Sequence, residues 1–363
     1  MRILHVITSL LIGGAEKLVV DLVPKLWENG YEVDIAVFNA TDMPLLPILR
    51  RRCPNCKVYE MGHSFYNLSL IFKLRQIMKE YDIIHTHNSS PQLFSLIANI
   101  GMHKRLVTTE HSTNNRKREH RKYFWVDRWM YREYDKVIAI SDVARDKLLE
   151  HLGWETNNDK VITVNNGVNV SFFHQAEPAD NQQLGFASSH RFVAVMVAGF
   201  REAKDQDTLV RAMVHLPKDS FEVWLVGIGD RESEVKSLVQ RLKLSGNVRF
   251  LGLRHDVANV LSASDVVVMS SHWEGLSLSN IEGMSVGNPF VASDVDGLRE
   301  VTEGYGILFP HEDDKALADI IMHLSTDSNY YHEVAEKCYQ RAKEFDLEKM
   351  VKKYESVYDS LMK

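Results

Sequence analysis

Short apolar runs rich in β-branched residues alternate with longer helical patterns along almost the whole chain. The runs that we predict as strands are residues 2–8, 32–38, 82–86, 105–109, 136–140, 161–164, 191–198, 221–226, 247–251, 265–270 and 289–293. A strand that is apolar on both faces is typical of a parallel sheet covered by helices on both sides. The sequence therefore predicts an α/β fold built from doubly wound parallel sheets.

This alternation is interrupted once, over residues 171–190, by a polar stretch without periodicity that contains Pro178 and Gly185. Such a stretch is typical of a linker, and 363 residues exceed what one hydrophobic core usually organises. We therefore predict an N-terminal domain over residues 1–170 and a C-terminal domain over residues 191–346. The last segment, 347–363, has apolar residues at helical spacing and must pack on another surface.

Composition and charge restrict the function. Lys and Arg number 43 against 49 Asp and Glu, a net charge of −6 that argues against broad nucleic-acid binding. Three cysteines cannot form a disulfide framework, which favours a reducing compartment. The apolar run near the N-terminus is interrupted by His5, Thr8 and Ser9, so we interpret it as a strand and loop rather than a signal peptide. We expect a cytoplasmic protein.

The strongest motif is SSHWEGLSLSNIEGMSVGNP, which follows a predicted strand and places Glu274 eight residues before Glu282. The backbone of Gly275, Leu276 and Ser277 would begin a helix there, and the free N–H groups at a helix start suit a phosphate. Glu282, about one turn into that helix, would accept hydrogen bonds from sugar hydroxyls. The alternative is a helix with an acid favoured by its dipole and a second, solvated Glu.

Basic residues and glycines follow other predicted strands. In VAGFREAKDQDTLVRAM, Arg201 and Lys204 would neutralise a diphosphate leaving group, or they are two solvated charges. Gly13 and Gly14 follow the first strand, and Gly227 begins the GIGD loop after another. Glycines at such positions let the backbone approach a ligand, or they simply form a tight turn.

Several residue groups have metal-ligand chemistry. DIIHTHN and TTEHST place His85, His87 and His111 at the ends of two strands, where a metal site is the minor interpretation and a structural role for His85 the major one. Two Asp-x-Asp pairs occur, Asp205/Asp207 and Asp294/Asp296, of which the first begins a helix. Cys53 and Cys56 have CxxC spacing without a second pair, so we predict two free thiols.

Together these motifs resemble glycosyltransferase family 4, the retaining nucleotide-sugar-dependent enzymes with the GT-B fold. EGLSLSNIEGMSVGNPFVASDVDGLREV is similar to the donor-site segment of the family, with Gly283 where Ala is more usual. Lys204 matches a family Lys, while the Arg position of the family is occupied by Gly199, two residues before Arg201. The resemblance implies two Rossmann-like domains facing a central cleft and a C-terminal helix that crosses back to the first domain.

The resemblance also implies the roles of the site residues. Glu274 would contact the donor sugar, Glu282 would hold the ribose, and His111 would lie near the reacting centre. The candidate catalytic residues are therefore His111, Lys204 and Glu274. The candidate donor-binding residues are Gly13, Gly14, Arg201, Lys204, Gly227, Glu274, Gly275, Leu276, Ser277 and Glu282. No metal or cofactor is expected, because the nucleotide-sugar is a substrate.

The implied reaction is transfer of a sugar with retention from a nucleotide diphosphate donor to an acceptor hydroxyl. A glycan or a lipid-linked acceptor in bacterial envelope polysaccharide or oligosaccharide synthesis is the expected partner. Two alternatives remain open: a nucleotide-sugar epimerase of the same architecture, and a non-catalytic binding protein, for which Gly199 is the supporting feature.

One segment carries an unusual charge. From Arg116 to Arg132, seven Lys and Arg stand against two acids, a net charge of +5 with five aromatic residues interleaved. The segment is either a helix whose aromatic residues face the core, or a patch for anionic lipid headgroups or a lipid-diphosphate acceptor. The second interpretation predicts a peripheral position on the inner face of the cell membrane.

Overall fold

The computed structural model describes residues 1–111, 121–180, 184, 191–274 and 278–363, with the backbone alone for residues 121–123. The chain divides into two compact units. The first unit is Met1–Gly167 together with Leu347–Lys363, and the second is Val168–Asp346. Among the described residues, no helix is both long and apolar enough to cross a membrane.

Within the described residues each unit contains one sheet, and every strand pair in both sheets is parallel. The strands of the first unit are β1 Arg2–Ile7, β2 Glu32–Val37, β3 Val58–Glu60, β4 Ile83–His87, β5 Arg105–Glu110, β6 Lys136–Ala139 and β7 Val161–Thr163. Those of the second unit are β8 Phe192–Val197, β9 Phe221–Val226, β10 Val248–Gly252, β11 Val266–Met269, β12 Phe290–Ser293 and β13 Ile307–Phe309.

The strand order reverses once in each sheet. The orders are β3-β2-β1-β4-β5-β6-β7 and β10-β9-β8-β11-β12-β13, so the reversals lie between β1 and β4 and between β8 and β11. In doubly wound sheets the carboxyl ends of strands that flank a reversal form the ligand-binding crevice. A ligand site is therefore expected at the segments that follow β1, β4, β8 and β11.

Helices pack against both sheets. They are α1 Gly14–Glu28, α2 Leu46–Arg52, α3 Ser69–Met78, α4 Ser89–Asn99, α5 Arg121–Glu133, α6 Asp142–Leu152, α7 Val170–His174, α8 Gln206–Ala212, α9 Glu232–Arg241, α10 Val257–Ser262, α11 Leu278–Ser285, α12 Asp296–Thr302, α13 Asp314–Thr326, α14 Ser328–Ala342 and α15 Leu347–Leu361. In the first unit, α1, α2 and α15 pack on one face of the sheet. Helices α3, α4, α5 and α6 pack on the other face.

The C-terminal helix α15 belongs to the first unit, as predicted. Its apolar face, which includes Met350, Val351 and Tyr354, is buried in the same core as residues of α1. Because Tyr354 and Tyr358 are both completely buried, this helix forms part of the first unit rather than an appendage to it. The predicted amphipathic pattern is confirmed.

All eleven predicted strands are present, and two further strands, β3 and β13, were not predicted. Each of the two has only three residues and lies at an edge of its sheet. The range that the sequence assigns to a linker, 171–190, includes most of α7, and Phe173 and Ala179 are buried in the core of the second unit. The sequence did not predict these core contacts, because most residues of the range are polar.

Candidate active site

The reversal of strand order in the second unit brings two predicted site residues together. A 3₁₀ turn, Glu202–Lys204, follows β8, and the segment that ends at Glu274 follows β11. The Nζ atom of Lys204 forms an ion pair with Oε1 of Glu274, although the residues are 70 positions apart. Ser271 donates a second hydrogen bond, of 3.0 Å, to the same oxygen. The side chains of Lys204 and Glu274 are 22% and 9% exposed, so this pair is only partly screened by water.

Asp205 fixes the position of the Lys204 turn. It has a positive φ of 44° and caps α8 by accepting hydrogen bonds from the N–H and hydroxyl of Thr208. The Ser270 hydroxyl donates to the carbonyl oxygen of Asp205 at 2.6 Å, which ties the turn after β8 to the end of β11. Burial raises the pKa of Asp205. The carboxylate of its neighbour Asp207 accepts a hydrogen bond of 2.8 Å from Arg231.

Helix α11 carries the second motif residue, Glu282, which is 4% exposed. The alternative of a solvated second Glu is therefore wrong. Packing explains why residue 283 is Gly rather than the more usual Ala. A Cβ there would stand 2.8 Å from Cγ1 of Val267 and 3.0 Å from the ring of Phe290. The Phe290 ring fills the space that an alanine methyl group would take. Residues Gly275, Leu276 and Ser277 lie outside the described residues, so their predicted contact with the diphosphate stays a prediction.

The side chain of Arg201 turns back towards Gly199, the position where the family usually has Arg. The Arg201 side chain is exposed, and its Nε atom lies 4.0 Å from the point where a Cβ on Gly199 would stand. Gly227 lies against the backbone of Ala198 and Gly199, since a Cβ there would collide with the carbonyl oxygen of Ala198 and stand 3.3 Å from the Gly199 nitrogen. Its φ is 139°. Only glycine fits at position 227, because both the backbone angle and the close approach exclude a side chain.

In the first unit, the loop after β1 leads into α1. Gly13 is the N-cap residue in an extended conformation, and Gly14 is the first residue of the helix. The Glu16 carboxylate accepts a hydrogen bond of 3.2 Å from Ser9, and burial raises its pKa. Glu16 is not predictable as a site residue, because an acid in the first turn of a helix is common and gives no further signal.

Four histidines gather on one side of the first sheet. His5, His85 and His87 are completely buried on β1 and β4, and His111 follows β5. Burial lowers the pKa of His111 to about 4 and that of His5 to about 3, so these imidazoles are neutral at pH 7. His85 receives or donates hydrogen bonds at both nitrogens, to the Tyr358 hydroxyl at 2.6 Å and to Thr109 at 2.8 Å. The prediction of a satisfied structural histidine is confirmed for His85.

Two groups of described residues bring three metal-ligating atoms within 4.8 Å of one another. They are His5/His85/His87 and His272/His311/Glu312. The carboxylate of Asp294, in the second Asp-x-Asp pair, instead accepts a hydrogen bond of 2.5 Å from Arg299. This bond holds the pKa of Asp294 below its usual range. Cys53 and Cys56 are free and buried, as predicted.

Helix α5 contains the described part of the basic aromatic segment, while residues 116–120 lie outside the described residues. Trp125 is 72% exposed and Trp129 is 46% exposed, whereas Tyr131 is buried and donates a hydrogen bond to Glu110 at 2.6 Å. The interpretation of a purely core-facing aromatic stripe therefore holds for Tyr131 and is wrong for the two tryptophans.

Two family models match the chain. One, described as Glycosyltransferase Family 4, matches residues 12–172. The other, described as Glycosyl transferases group 1, matches residues 179–345. The chain belongs to glycosyltransferase family 4. Both models fall on the segments that carry the motifs, and the family accounts for two Rossmann-like units in one chain.

Curated relatives match most of the chain. The chain is 24% identical to N-acetyl-alpha-D-glucosaminyl L-malate synthase of Bacillus anthracis, over 97% of this chain and 95% of that protein. It is 26% identical to the putative glycosyltransferase EpsD of Bacillus subtilis, over 92% of this chain and 91% of that protein. It is also 26% identical to the UDP-Gal:alpha-D-GlcNAc-diphosphoundecaprenol alpha-1,3-galactosyltransferase of Escherichia coli, over 67% of this chain and 65% of that enzyme.

Solved structures share the fold. The crystal structure of Anabaena HepE in complex with UDP-glucose superposes with a TM-score of 0.86, at 24% identity, over 99% of this chain and 100% of that chain. The sucrose-phosphate synthase of Thermosynechococcus elongatus superposes with a TM-score of 0.79 at 21% identity, over 100% and 99% of the two chains. The predicted GT-B fold is confirmed for this family 4 member.

Proposed function

We propose that the protein is a retaining glycosyltransferase that moves a sugar from a nucleoside diphosphate donor to an acceptor hydroxyl. The Lys204–Glu274 pair at the carboxyl ends of β8 and β11 carries the proposal, because these strands flank the reversal of strand order. The Lys204 ammonium stabilises the negative charge that develops on the departing diphosphate. The Glu274 carboxylate lies near the sugar, whose ring carbon becomes positively charged as the bond breaks.

Retention follows from the mechanism that family membership implies. The acceptor hydroxyl attacks from the face that the diphosphate is leaving, and a donor phosphate oxygen takes the acceptor proton. The protein then acts mainly through charge and position, with Lys204, Arg201 and the start of α11 facing the diphosphate and Glu282 holding the ribose. His111 lies near the reacting centre. These positive groups take the place of a metal ion, so neither a metal nor a cofactor is part of the proposal.

A uridine diphosphate sugar is the donor to test first. Anabaena HepE has been crystallised with UDP and with UDP-glucose, and the Escherichia coli relative is named for a UDP-galactose donor and a diphosphoundecaprenol acceptor. By analogy, we propose a glycan or lipid-linked acceptor in the synthesis of bacterial envelope polysaccharide or oligosaccharide.

A cytoplasmic protein that binds the inner face of the cell membrane fits this acceptor. The exposed indoles of Trp125 and Trp129 lie in the segment with a net charge of +5. Tryptophan favours the membrane interface, and clustered basic residues favour anionic headgroups. Such an attachment would bring the enzyme to a lipid-linked substrate.

A thermal-shift screen with UDP, GDP, ADP and their sugars tests the donor site, because a ligand that binds only the folded state raises Tm. The donor that gives the largest shift is then incubated with candidate acceptors, and the anomeric configuration of the product is read by NMR. Transfer with the donor configuration kept supports the proposal. Conversion of the donor sugar without nucleotide release would indicate an epimerase, and binding without any transfer would indicate a non-catalytic protein.

A further inference from the structure

A continuous row of hydrogen bonds runs through the core of the first unit, starting at His111. We call it the histidine chain, and its members in order are His111, His87, His5, Tyr358, His85 and Thr109. The successive contacts are 2.9, 2.9, 3.3, 2.6 and 2.8 Å long. Each inner imidazole uses one nitrogen for the member before it and the other nitrogen for the member after it.

The sheet itself assembles this row. His85 and His87 are two residues apart on β4, so both point to the same face of the sheet. His5 on β1 is in register with His85, which places a third imidazole beside them. Helix α15 packs on that face and supplies the Tyr358 hydroxyl, which is completely buried.

A neutral imidazole restricts the directions of the hydrogen bonds in such a row. It has one N–H donor and one acceptor nitrogen, so a ring that accepts from one neighbour must donate to the other. Burial keeps these histidines neutral by lowering their pKa. The direction of the bond on one side of each imidazole therefore fixes the direction of the bond on its other side. The Tyr358 hydroxyl has one hydrogen, so it can donate to only one of its two histidines.

The contact between Tyr358 and His85 sets that direction. At 2.6 Å it is shorter than N–H donors usually reach, about 2.7–3.2 Å, and lies in the range of hydroxyl donors. Tyr358 therefore donates to Nδ1 of His85 and accepts from Nε2 of His5 at 3.3 Å. His5 must then accept at Nδ1 from Nε2 of His87, and His87 must accept at Nδ1 from Nε2 of His111.

We propose that Tyr358 is a positioning residue that holds His111 as the Nε2–H tautomer and leaves Nδ1 of His111 as a proton acceptor. The effect passes through His5 and His87, so a hydroxyl on the C-terminal helix determines which ring nitrogen of His111 carries the proton. The consequence for catalysis rests on the proposed role of His111 near the reacting centre. The tautomer itself does not depend on that role.

Nitrogen-15 NMR of histidine-labelled protein at pH 7 tests the tautomer directly, since protonated and unprotonated ring nitrogens have distinct shifts. We expect His5, His85, His87 and His111 all to carry the proton on Nε2. An Nδ1–H signal for His111 in the unaltered protein would overturn the proposal, whatever the enzyme's activity. Bound zinc that shifts His5, His85 and His87 together would also overturn it.

Tyr358→Phe keeps the ring and removes only the hydroxyl. Without an acceptor for Nε2 of His5, the bonds from His5 to His111 should reverse, and His111 should become the Nδ1–H tautomer. If His111 serves the transfer as proposed, kcat should fall roughly ten- to a hundredfold, as for residues that orient a functional histidine, with the KM for donor unchanged.

The control is Tyr134→Phe, which removes another buried hydroxyl. The Tyr134 hydroxyl donates to the carbonyl oxygen of Gln92 and is not bonded to His5 or His85. An unchanged His111 tautomer in folded Tyr358→Phe would refute the proposal, while a changed tautomer with unchanged kcat would refute only the role of His111.

Discussion

The ammonium of Lys204 is paired with the carboxylate of Glu274 at the carboxyl ends of two adjacent strands, β8 and β11. Both side chains are mostly shielded from water, and Asp205 and Ser270 hold the two turns against each other. A fixed cation beside a fixed carboxylate suits a reaction that separates a negatively charged leaving group from a positively charged sugar. The pair thus links the motif at residue 274 to a basic residue 70 positions earlier in the chain.

Lys204→Gln should lower kcat about a hundredfold, the magnitude found when a preorganised group that stabilises transition-state charge is removed. Glutamine is chosen because its amide keeps an N–H donor on the side chain and removes the positive charge. Lys337→Gln is the matched control, since Lys337 pairs with Glu333 at 2.6 Å where both side chains are more than half exposed. Exposed pairs contribute little, so the control should stay within about twofold of the unaltered enzyme. Equal kinetics for the two variants would remove Lys204 from the mechanism.

We expect activity to persist in excess EDTA. In the proposed mechanism, Lys204, Arg201 and the start of α11 would supply the positive charge that a metal would otherwise bring to the diphosphate. The measurement is initial rate with and without chelator, followed by addition of manganese. Loss of activity that manganese restores would contradict this expectation and direct attention to the Asp294/Asp296 pair or to the histidine clusters.

The free energy of unfolding should fall as the pH is lowered from about 6.5 towards 4. The pKa of His5 is lowered to about 3 and that of His111 to about 4, below the value of about 6.5 in an unfolded chain. Between about pH 6.5 and 4 the unfolded chain therefore binds more protons than the folded protein. Each histidine that stays neutral in the folded protein then lowers the free energy of unfolding by about 1.4 kcal/mol for each pH unit. Stability from these groups is complete above pH 6.5 and is lost on acidification.

Urea unfolding at several pH values measures this slope. His87→Gln should make it shallower, because one titrating group is gone. His323→Gln is the matched control, because it removes an imidazole whose side chain is 56% exposed. Identical slopes in all three proteins would show that the buried histidines do not control acid stability.

Much of the fold is predictable from local pattern. Continuous apolar runs such as β8 and β11 indicate parallel strands buried on both faces, and the helical spacing of Met350, Val351 and Tyr354 indicates a packed C-terminal helix. Strands β3 (VYE) and β13 (ILF) escape prediction, because each has three residues of which only one is β-branched, whereas the equally short edge strand β7 (VIT) is β-branched throughout.

The candidate site is also predictable only in part. The Glu274 and Glu282 motif and Lys204 are visible in the sequence, because their types and spacing are local. The bond between Tyr358 and His5 joins residues 353 positions apart, and only strand register and helix packing bring them together. The orientation of Arg201 towards Gly199 likewise depends on a backbone turn that residue types do not specify.

Removing the exposed indoles should weaken membrane binding. Trp125→Ala and Trp129→Ala together should lower the affinity for vesicles with anionic lipid, and the remaining binding should decrease with salt because the segment keeps its net charge of +5. Phe172→Ala is the control, an exposed aromatic residue outside the basic segment. Sedimentation with anionic and with neutral vesicles measures the effect. Unchanged sedimentation of the double variant would return α5 to a purely structural role.

The central claim is that Glu274 and Glu282 form a donor site in which they do different work, and kinetics with nucleotide titration on two variants test it most directly. Glu274→Gln removes charge beside the developing cation, so kcat should fall markedly while nucleotide affinity changes little. Glu282→Gln should mainly weaken nucleotide binding, since one charge-assisted hydrogen bond contributes about 1.5–3 kcal/mol, roughly ten- to a hundredfold in Kd. Urea unfolding confirms that both variants are folded, a necessary control because Glu282 is buried. Unaltered kcat and unaltered nucleotide Kd in both folded variants would contradict the assignment of the donor site.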